Sequence, residues 1–169
     1  MNERGLITLR EAGPDDAQVL LHLMRAAFEE YEGVLDPPSG AHQETIDTVG
    51  RRLARGAAVL ASVEDEPVGF AFYELDEGLL YFGRLSVLPQ WRSKGIGGAL
   101  LDYVERHARE TGAAGVRLGV RMQLPHLIAR YERRGYRTTK HMTHTGYAQP
   151  TFIYMEKRIS RDSGLGIRD

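Results

Sequence analysis

From Leu85 to Leu101 the chain reads Leu-Ser-Val-Leu-Pro-Gln-Trp-Arg-Ser-Lys-Gly-Ile-Gly-Gly-Ala-Leu-Leu, an apolar strand passing through a basic, glycine-rich turn into an amphipathic helix. Before the turn, Tyr81, Gly83, Leu85 and Val87 alternate with Phe82, Arg84 and Ser86, the period of two that marks a strand, and Pro89 ends it. After the turn, Ile96, Leu100, Leu101, Val104 and Ala108 recur at helical spacing. Glycine at 95, 97 and 98 removes the Cβ atoms that would hold a ligand away, so the unpaired N–H groups of the first helical turn can face an anion. The helix dipole adds about half a positive charge at that end. This stretch therefore predicts a phosphate cradle set in an α/β fold.

Three glycine-rich cradles compete, and named positions separate them. A nucleotide-hydrolysing P-loop needs Gly-Lys followed by Ser or Thr, whereas here the lysine comes first, as Lys94-Gly95. A dinucleotide fingerprint needs a third glycine where this chain has Leu100, and a tighter turn than Pro89 to Lys94. The remaining pattern is Arg92-x-x-Gly95-x-Gly97, preceded by Leu85-Ser86-Val87-x-Pro89.

Composition narrows the class of protein. A length of 169 residues with 42% hydrophobic content suits one domain with a full core, expected over 1–160, with a frayed tail over 161–169. The 22 basic and 23 acidic residues nearly cancel, so no global field favours nucleic acid, and no apolar run approaches the length of a membrane span. Cysteine is absent, which excludes disulfides, cysteine-based zinc sites and any acyl-cysteine intermediate. The start, Met1-Asn2-Glu3-Arg4-Gly5, lacks an apolar run like that of a signal sequence, so the cytoplasm is the expected compartment.

Patterning along the chain predicts a strand over Leu6–Arg10 and a helix from the Gly13-Pro14-Asp15-Asp16 turn through Tyr31, with Val19, Leu20, Leu23 and Ala27 facing the core. The loop from Gly33 to Gly40 precedes a second helix over His42–Arg55. Strands over Ala57–Val63 and Pro67–Leu75 flank the acidic turn Glu64-Asp65-Glu66, and Asp76-Glu77-Gly78 turns into the strand that enters the cradle. A helix over Gly95–Thr111, a strand over Gly115–Val120, a helix over Pro125–Arg134 and strands over Tyr136–Thr139 and Thr151–Arg158 complete the order. Such an order implies a mixed sheet with helices on both sides.

The cradle pattern closely resembles the acyl-coenzyme A motif of the GNAT (GCN5-related) N-acetyltransferase superfamily. Downstream, Ala129-Arg130-Tyr131-Glu132-Arg133-Arg134-Gly135-Tyr136 resembles that family's second signature, and the likeness runs from Ile7 to Lys157. It implies an α/β (α+β) fold with a mixed, mostly antiparallel sheet of six to seven strands, helices on both faces and splayed central strands. It also implies acetyl-coenzyme A as acyl donor, with Leu85, Ser86 and Val87 beside the acyl group and Arg92, Ser93, Lys94, Gly95, Ile96, Gly97 and Gly98 around the pyrophosphate. Many members carry an asparagine shortly before the signature tyrosine, on the pantetheine arm. Here 123–127 reads Gln-Leu-Pro-His-Leu, and Gln123 is the candidate to stand in.

With no cysteine, direct attack by an amine in a ternary complex is the simplest route, and the resemblance implies the same. The Val87 backbone N–H is the candidate donor to the oxyanion. Tyr131, at the family's tyrosine position, is the candidate acid for the departing thiolate, since a phenol with a pKa of about 10 stays protonated at neutral pH. The competing reading is that its ring only packs. Some members place a glutamate four residues before the position of Leu85, but Tyr81 stands there. Glu74 is the candidate base, with Glu29, Glu30 and Glu32 behind it; the competing reading is a solvated carboxylate.

Phe28, Tyr31 and Tyr81, with the loop from Val34 to Ser39, are candidates to shape the acceptor site, and Arg84 either meets an acceptor carboxylate or is an exposed strand arginine. Trp91 is a lid or a core cover. Tyr147, Gln149 and Pro150 would border the acceptor pocket or a subunit interface. His141-x-x-His144 lacks a third ligand, so no metal is expected. The expected function is acetyl transfer to a primary amine of a small molecule, peptide or protein, with no nucleic acid or membrane partner and, by resemblance, a homodimer. The alternative is a non-catalytic acyl-coenzyme A-binding sensor or scaffold, which would keep the cradle without the chemistry.

Overall fold

The structure, a computed structural model, describes residues 5–159. Both the charged amino terminus before Gly5 and the tail over 161–169 that the sequence marks as frayed lie outside the described residues. The elements run β1 (Ile7–Glu11), α1 (Ala17–Phe28), α2 (Ile46–Arg55), β2 (Ala57–Val63), β3 (Glu66–Asp76), β4 (Leu79–Val87), α3 (Ile96–Thr111), β5 (Gly115–Arg121), α4 (Pro125–Arg133), β6 (Arg137–Met142) and β7 (Phe152–Arg158). Seven strands form a sheet in the order β1-β2-β3-β4-β5-β7-β6. Pairing is antiparallel for β1 with β2, β2 with β3, β5 with β7 and β6 with β7, and parallel for β4 with β5. This is the mixed, mostly antiparallel sheet that the sequence implies.

Two hairpins are set by turn chemistry. Glu64 and Asp65 (φ +50° and +66°) join β2 to β3, and Glu77 and Gly78 (φ +51° and +83°) join β3 to β4. Paired positive φ values match the right-handed twist of the flanking strands. The β4–β5 ladder is short, running only from Leu80–Val116 to Phe82–Leu118.

The first helix runs through Tyr31 as the sequence predicts, and the second is interrupted where the sequence predicts continuity. The first begins as a tight turn, Pro14–Asp16, continues as α1 and closes as a second tight turn, Glu29–Tyr31. The expected helix over His42–Arg55 divides into a tight turn, Gly40–Gln43, and α2, because Glu44 is extended and Thr45 restarts the helix as its N-cap. The Thr45 hydroxyl accepts from the Thr48 N–H at 3.2 Å, and the Thr48 hydroxyl accepts from the Thr45 N–H at 2.8 Å.

By internal contacts the chain forms two units. One comprises the described residues up to Glu74 together with Gly83–Tyr103. Its core joins Leu20, Leu23 and Met24 of α1 to Val49 of α2, Leu60 of β2 and Phe70 and Phe72 of β3. Burying each of these side chains is worth roughly 1.5–3 kcal/mol against leaving it in water. Val19, expected on the core face, is only partly buried.

The other unit comprises Leu75–Phe82 and the described residues from Val104 onward. Val104, Ala108, Val116, Leu118, Val120, Ile153 and Met155 are buried there. Glu105 of α3, itself buried, accepts from the Tyr136 hydroxyl at 2.9 Å and from Lys157 Nζ at 3.0 Å. That pairing satisfies a carboxylate which would otherwise be costly to bury.

Candidate active site

Strand β4 changes character after Phe82, where its ladder with β5 ends. Arg84 takes φ +53°, left-handed backbone inside an otherwise extended strand. A non-glycine residue in that region costs on the order of 1–3 kcal/mol, so the surroundings must hold it. They do so through its carbonyl, which accepts from Ser86 Oγ at 2.8 Å, and its guanidinium, whose Nε donates to Glu44 Oε2 at 3.2 Å. Gly40 makes room, since a Cβ there would stand 2.6 Å from Arg84 Nη2.

The next peptide carries the candidate oxyanion donor. The Ser86 carbonyl lies against Gly69 of β3, where a Cβ would come within 2.8 Å of it. In a trans peptide the Val87 N–H points opposite to that carbonyl, hence away from β3. The following N–H, of Leu88, turns back and donates to the Val68 carbonyl at 2.9 Å. This alternation leaves the Val87 N–H directed off the β3 edge, as a donor to a developing oxyanion requires.

The same unit continues into the glycine-rich turn. Pro89–Trp91 form a tight turn, Ser93 and Gly95 take φ +62° and +87°, and α3 begins at Ile96. Left-handed residues at alternating positions curl successive N–H groups toward a common point, the geometry of an anion nest. Among the described residues, none of the backbone N–H groups from 93 to 98 has a backbone acceptor. Nothing lies within 4 Å of where a Gly95 Cβ would be, so the cradle is open there. Ile96, buried, pins the start of α3 against β3.

The two cations of the cradle differ in what they reach. Arg92 turns away from the glycines, with Nη2 donating to the Ala27 carbonyl at 2.9 Å and Nη1 2.6 Å from Glu30 Oε1, so its side chain closes the end of α1. Lys94, exposed, lies over the Trp91 ring at 5.0 Å and remains available to phosphate oxygens.

Phe28 and Tyr31, from the end of α1 and the turn after it, meet edge to face at 5.9 Å. Glu74, half-exposed at the end of β3, is 3.4 Å from Arg55. Glu30, named as a secondary base candidate, is the partner of Arg92.

In the other unit, Tyr131 lies on α4, a helix with no buried residue, and packs edge to face on Tyr136 at 6.0 Å. The Tyr131 carbonyl accepts the N–H of Tyr136, and Gly135, at φ +94°, closes the helix. Gln123 is exposed in the loop before α4. Tyr81 meets the Tyr154 ring at 6.1 Å, and Gly119 gives its hydroxyl room, since a Cβ there would be 2.8 Å away.

His144 bonds Thr151 Oγ1 through its ring and packs on Phe152 at 4.8 Å with the rings tilted by 52°, so neighbours hold it in place. Burial, aided by Arg121, holds this imidazole below its usual pKa. Among the described residues no group of three or more histidines and carboxylates is arranged to hold a metal.

Sequence reasoning passed over Glu44 entirely and left Arg84 as one candidate among several. The only available signal was Gly83 beside Arg84, which marks a strand irregularity without locating it.

Residues 18–136 match the sequence model of the acetyltransferase (GNAT) family. The uncharacterized N-acetyltransferase YjcF of Bacillus subtilis is 32% identical over 73 residues, which cover 43% of this chain and 50% of that protein, so the chain spans about half the length of the curated relative it matches. The ribosomal-protein-S18-alanine N-acetyltransferase of Escherichia coli superposes with a TM-score of 0.74 at 19% identity, covering 92% of this chain and 95% of that one. The PaiA N-acetyltransferase of Thermoplasma acidophilum, solved in complex with coenzyme A, gives 0.76 at 19% identity over 90% and 99%. At such identities the structures speak for the fold, and the family match for membership: the chain belongs to the GNAT acetyltransferase family.

Proposed function

We propose that this protein transfers an acetyl group from acetyl-coenzyme A to a primary amine by direct attack. The observation that carries the reading is the continuity of one segment: a left-handed break at Arg84, a Val87 N–H turned off the β3 edge, and an open nest from Ser93 to Gly98. An acyl donor with a pyrophosphate suits that order, because the nest supplies N–H groups and Lys94 supplies a cation, while the strand supplies a donor for the thioester oxygen.

In this reading the donor contributes an electrophilic thioester carbonyl and a sulfur leaving group. Leu85, Ser86 and Val87 lie along the acyl end, and the Val87 N–H donates to the carbonyl oxygen as it gains charge. The amine nitrogen forms the new C–N bond as the C–S bond breaks. Tyr131 gives its hydroxyl proton to the sulfur, and the amine loses a proton to Glu74 through water. Phe28 and Tyr31 bound the acceptor, and the family resemblance assigns Gln123 to the pantetheine amides. The guanidinium of Arg92 holds the end of α1 in place while its backbone borders the nest.

A thiol assay for released coenzyme A, run across amino acids, peptides, polyamines and aminoglycosides, tests the proposal. Release above the acceptor-free rate with at least one amine is expected. Tight acetyl-coenzyme A binding by calorimetry, with no acceptor raising that rate, would overturn catalysis and favour a sensor or scaffold. For the acid, Tyr131→Phe is expected to lower kcat by about 10²-fold, the usual scale of general acid catalysis.

A further inference from the structure

The charges around Arg84 do not balance. Glu44, only 6% exposed, is shared by two cations, with Arg84 Nε at 3.2 Å and Arg52 Nε at 3.0 Å from the same oxygen, Oε2. Two guanidiniums and one carboxylate leave an excess positive charge where the arginines are about a quarter exposed, at 25% and 27%. Burial lowers the Arg52 pKa, Glu44 and Glu74 work against that, and Arg84 and Arg55 add to it; Arg55 and Glu74 pair with each other at 3.4 Å, so the excess positive charge remains.

The attachment also leaves the binding edge free. Among the described residues, the Nε–H bond to Glu44 is the only hydrogen bond the Arg84 guanidinium donates. Its paired Nη groups, the edge that matches a carboxylate in a two-pronged contact, therefore keep their donors. Gly40 lies against Nη2 with no side chain between, and Glu44 holds Nε, so the fork is oriented before any ligand arrives. A purely structural strand arginine would need neither the strained backbone at φ +53° nor a second arginine on its carboxylate.

Arg84 also stands three residues before Val87, roughly 10 Å or less along β4, the span of an amino acid with its contacts. We infer that Arg84, oriented by Glu44 and Gly40 and reinforced by Arg52, binds a carboxylate on the acceptor, so the preferred substrates are primary amines that also carry a carboxylate, as amino acids do. This inference rests on the acetyltransferase reading. The same excess charge disfavours polyamines, whose second cation would meet a like charge.

The test compares matched acceptors in the coenzyme A release assay: amino acids against their methylamides, with spermidine as the polycation. Wild-type kcat/KM is expected to favour the acids at least tenfold over the amides. In Arg84→Gln the ratio should fall toward one, chiefly through a higher KM for the acid, whereas Arg84→Lys should keep part of it. Unchanged acetyl-coenzyme A affinity by calorimetry would show that the donor site is intact. Amides or spermidine used as well as the acids, or a ratio unmoved in Arg84→Gln, would overturn the inference and leave acetyl transfer standing. Failure of every amine to raise release above the acceptor-free rate would overturn both. Should Arg84→Gln not fold, the wild-type ratio and Arg84→Lys decide the matter.

Discussion

Replacing Gly69 with alanine places a single methyl group against the peptide that carries the candidate oxyanion donor. The new Cβ would stand 2.8 Å from the Ser86 carbonyl oxygen and 3.0 Å from Ile96 Cγ2, where ordinary contact begins at 3.4 Å. Relieving the first clash requires a displacement of up to about 0.6 Å, and the atom that must yield is backbone, with no rotamer to turn. Overpacking of this kind costs roughly 1–3 kcal/mol, offset by about 0.5–1 kcal/mol from the lost freedom of glycine in the unfolded chain. A net loss of about 1–2 kcal/mol lowers Tm by roughly 3–6 °C in a domain of this size, with the urea slope unchanged.

The functional consequence follows from planarity, because the Ser86 carbonyl and the Val87 N–H belong to one peptide and move together. Catalytic groups tolerate about 0.5 Å of error, and complete loss of an oxyanion donor costs about 10²–10³ in rate, so a partial displacement is expected to lower kcat about tenfold. The same methyl also crowds Ile96 Cγ2 at the start of α3, but that contact is with a side chain and must give by less than the Ser86 carbonyl does, so acetyl-coenzyme A affinity is expected to fall by less than kcat. A variant with lowered Tm but wild-type kcat would refute the role assigned to the Val87 peptide. One with neither effect would refute the packing of Ser86 against Gly69.

The same substitution at Gly50, in the middle of α2 with nothing within 4 Å of its would-be Cβ, should instead stabilise the protein by about 0.5–1 kcal/mol in urea denaturation. Tyr136→Phe removes the hydroxyl that donates to buried Glu105 at 2.9 Å and should cost about 1.5–3 kcal/mol, with Lys157 left as the closest partner; a loss under 0.5 kcal/mol would show that the bond is not contributing. Arg10 bonds both oxygens of Asp16 at 2.8 and 2.9 Å and holds that carboxyl below its usual pKa. Its contribution to stability is therefore present above the unfolded carboxyl pKa of about 3.9 and lost as pH falls below it. Asp16→Asn should flatten the stability profile between about pH 5 and 2, and a profile parallel to wild type would refute this.

How much of the site was legible in the sequence depended on how far apart its parts lie along the chain. The nest could be read because glycine, lysine and the helical period of Ile96, Leu100 and Val104 act on backbone within a few residues of themselves. The side-chain partner of Arg92 was not legible, since its acceptor is the Ala27 carbonyl, 65 residues earlier, at the end of a helix whose stopping point depends on the turn that follows it. The restart of α2 at Thr45 lay within local reach, but its partner in the cap is Thr48 rather than the more familiar Glu or Gln, and Glu44 reads as an ordinary helical residue until its extended backbone is seen.

Arg84 is the strongest case. Local propensity assigns a positive φ to the glycine at 83, yet the arginine takes it, and in that conformation its guanidinium reaches Glu44 and lies against Gly40 while Ser86 caps its carbonyl. The strain is therefore a tertiary quantity, and relieving it tests whether it matters. Arg84→Gly removes the left-handed penalty and the cation together, whereas Glu44→Gln keeps the arginine and loosens its hold. A break that serves only the strand would be tolerated as glycine without change in kcat/KM for any acceptor. A break that exists to aim the guanidinium would lose the preference for acids over amides in both variants.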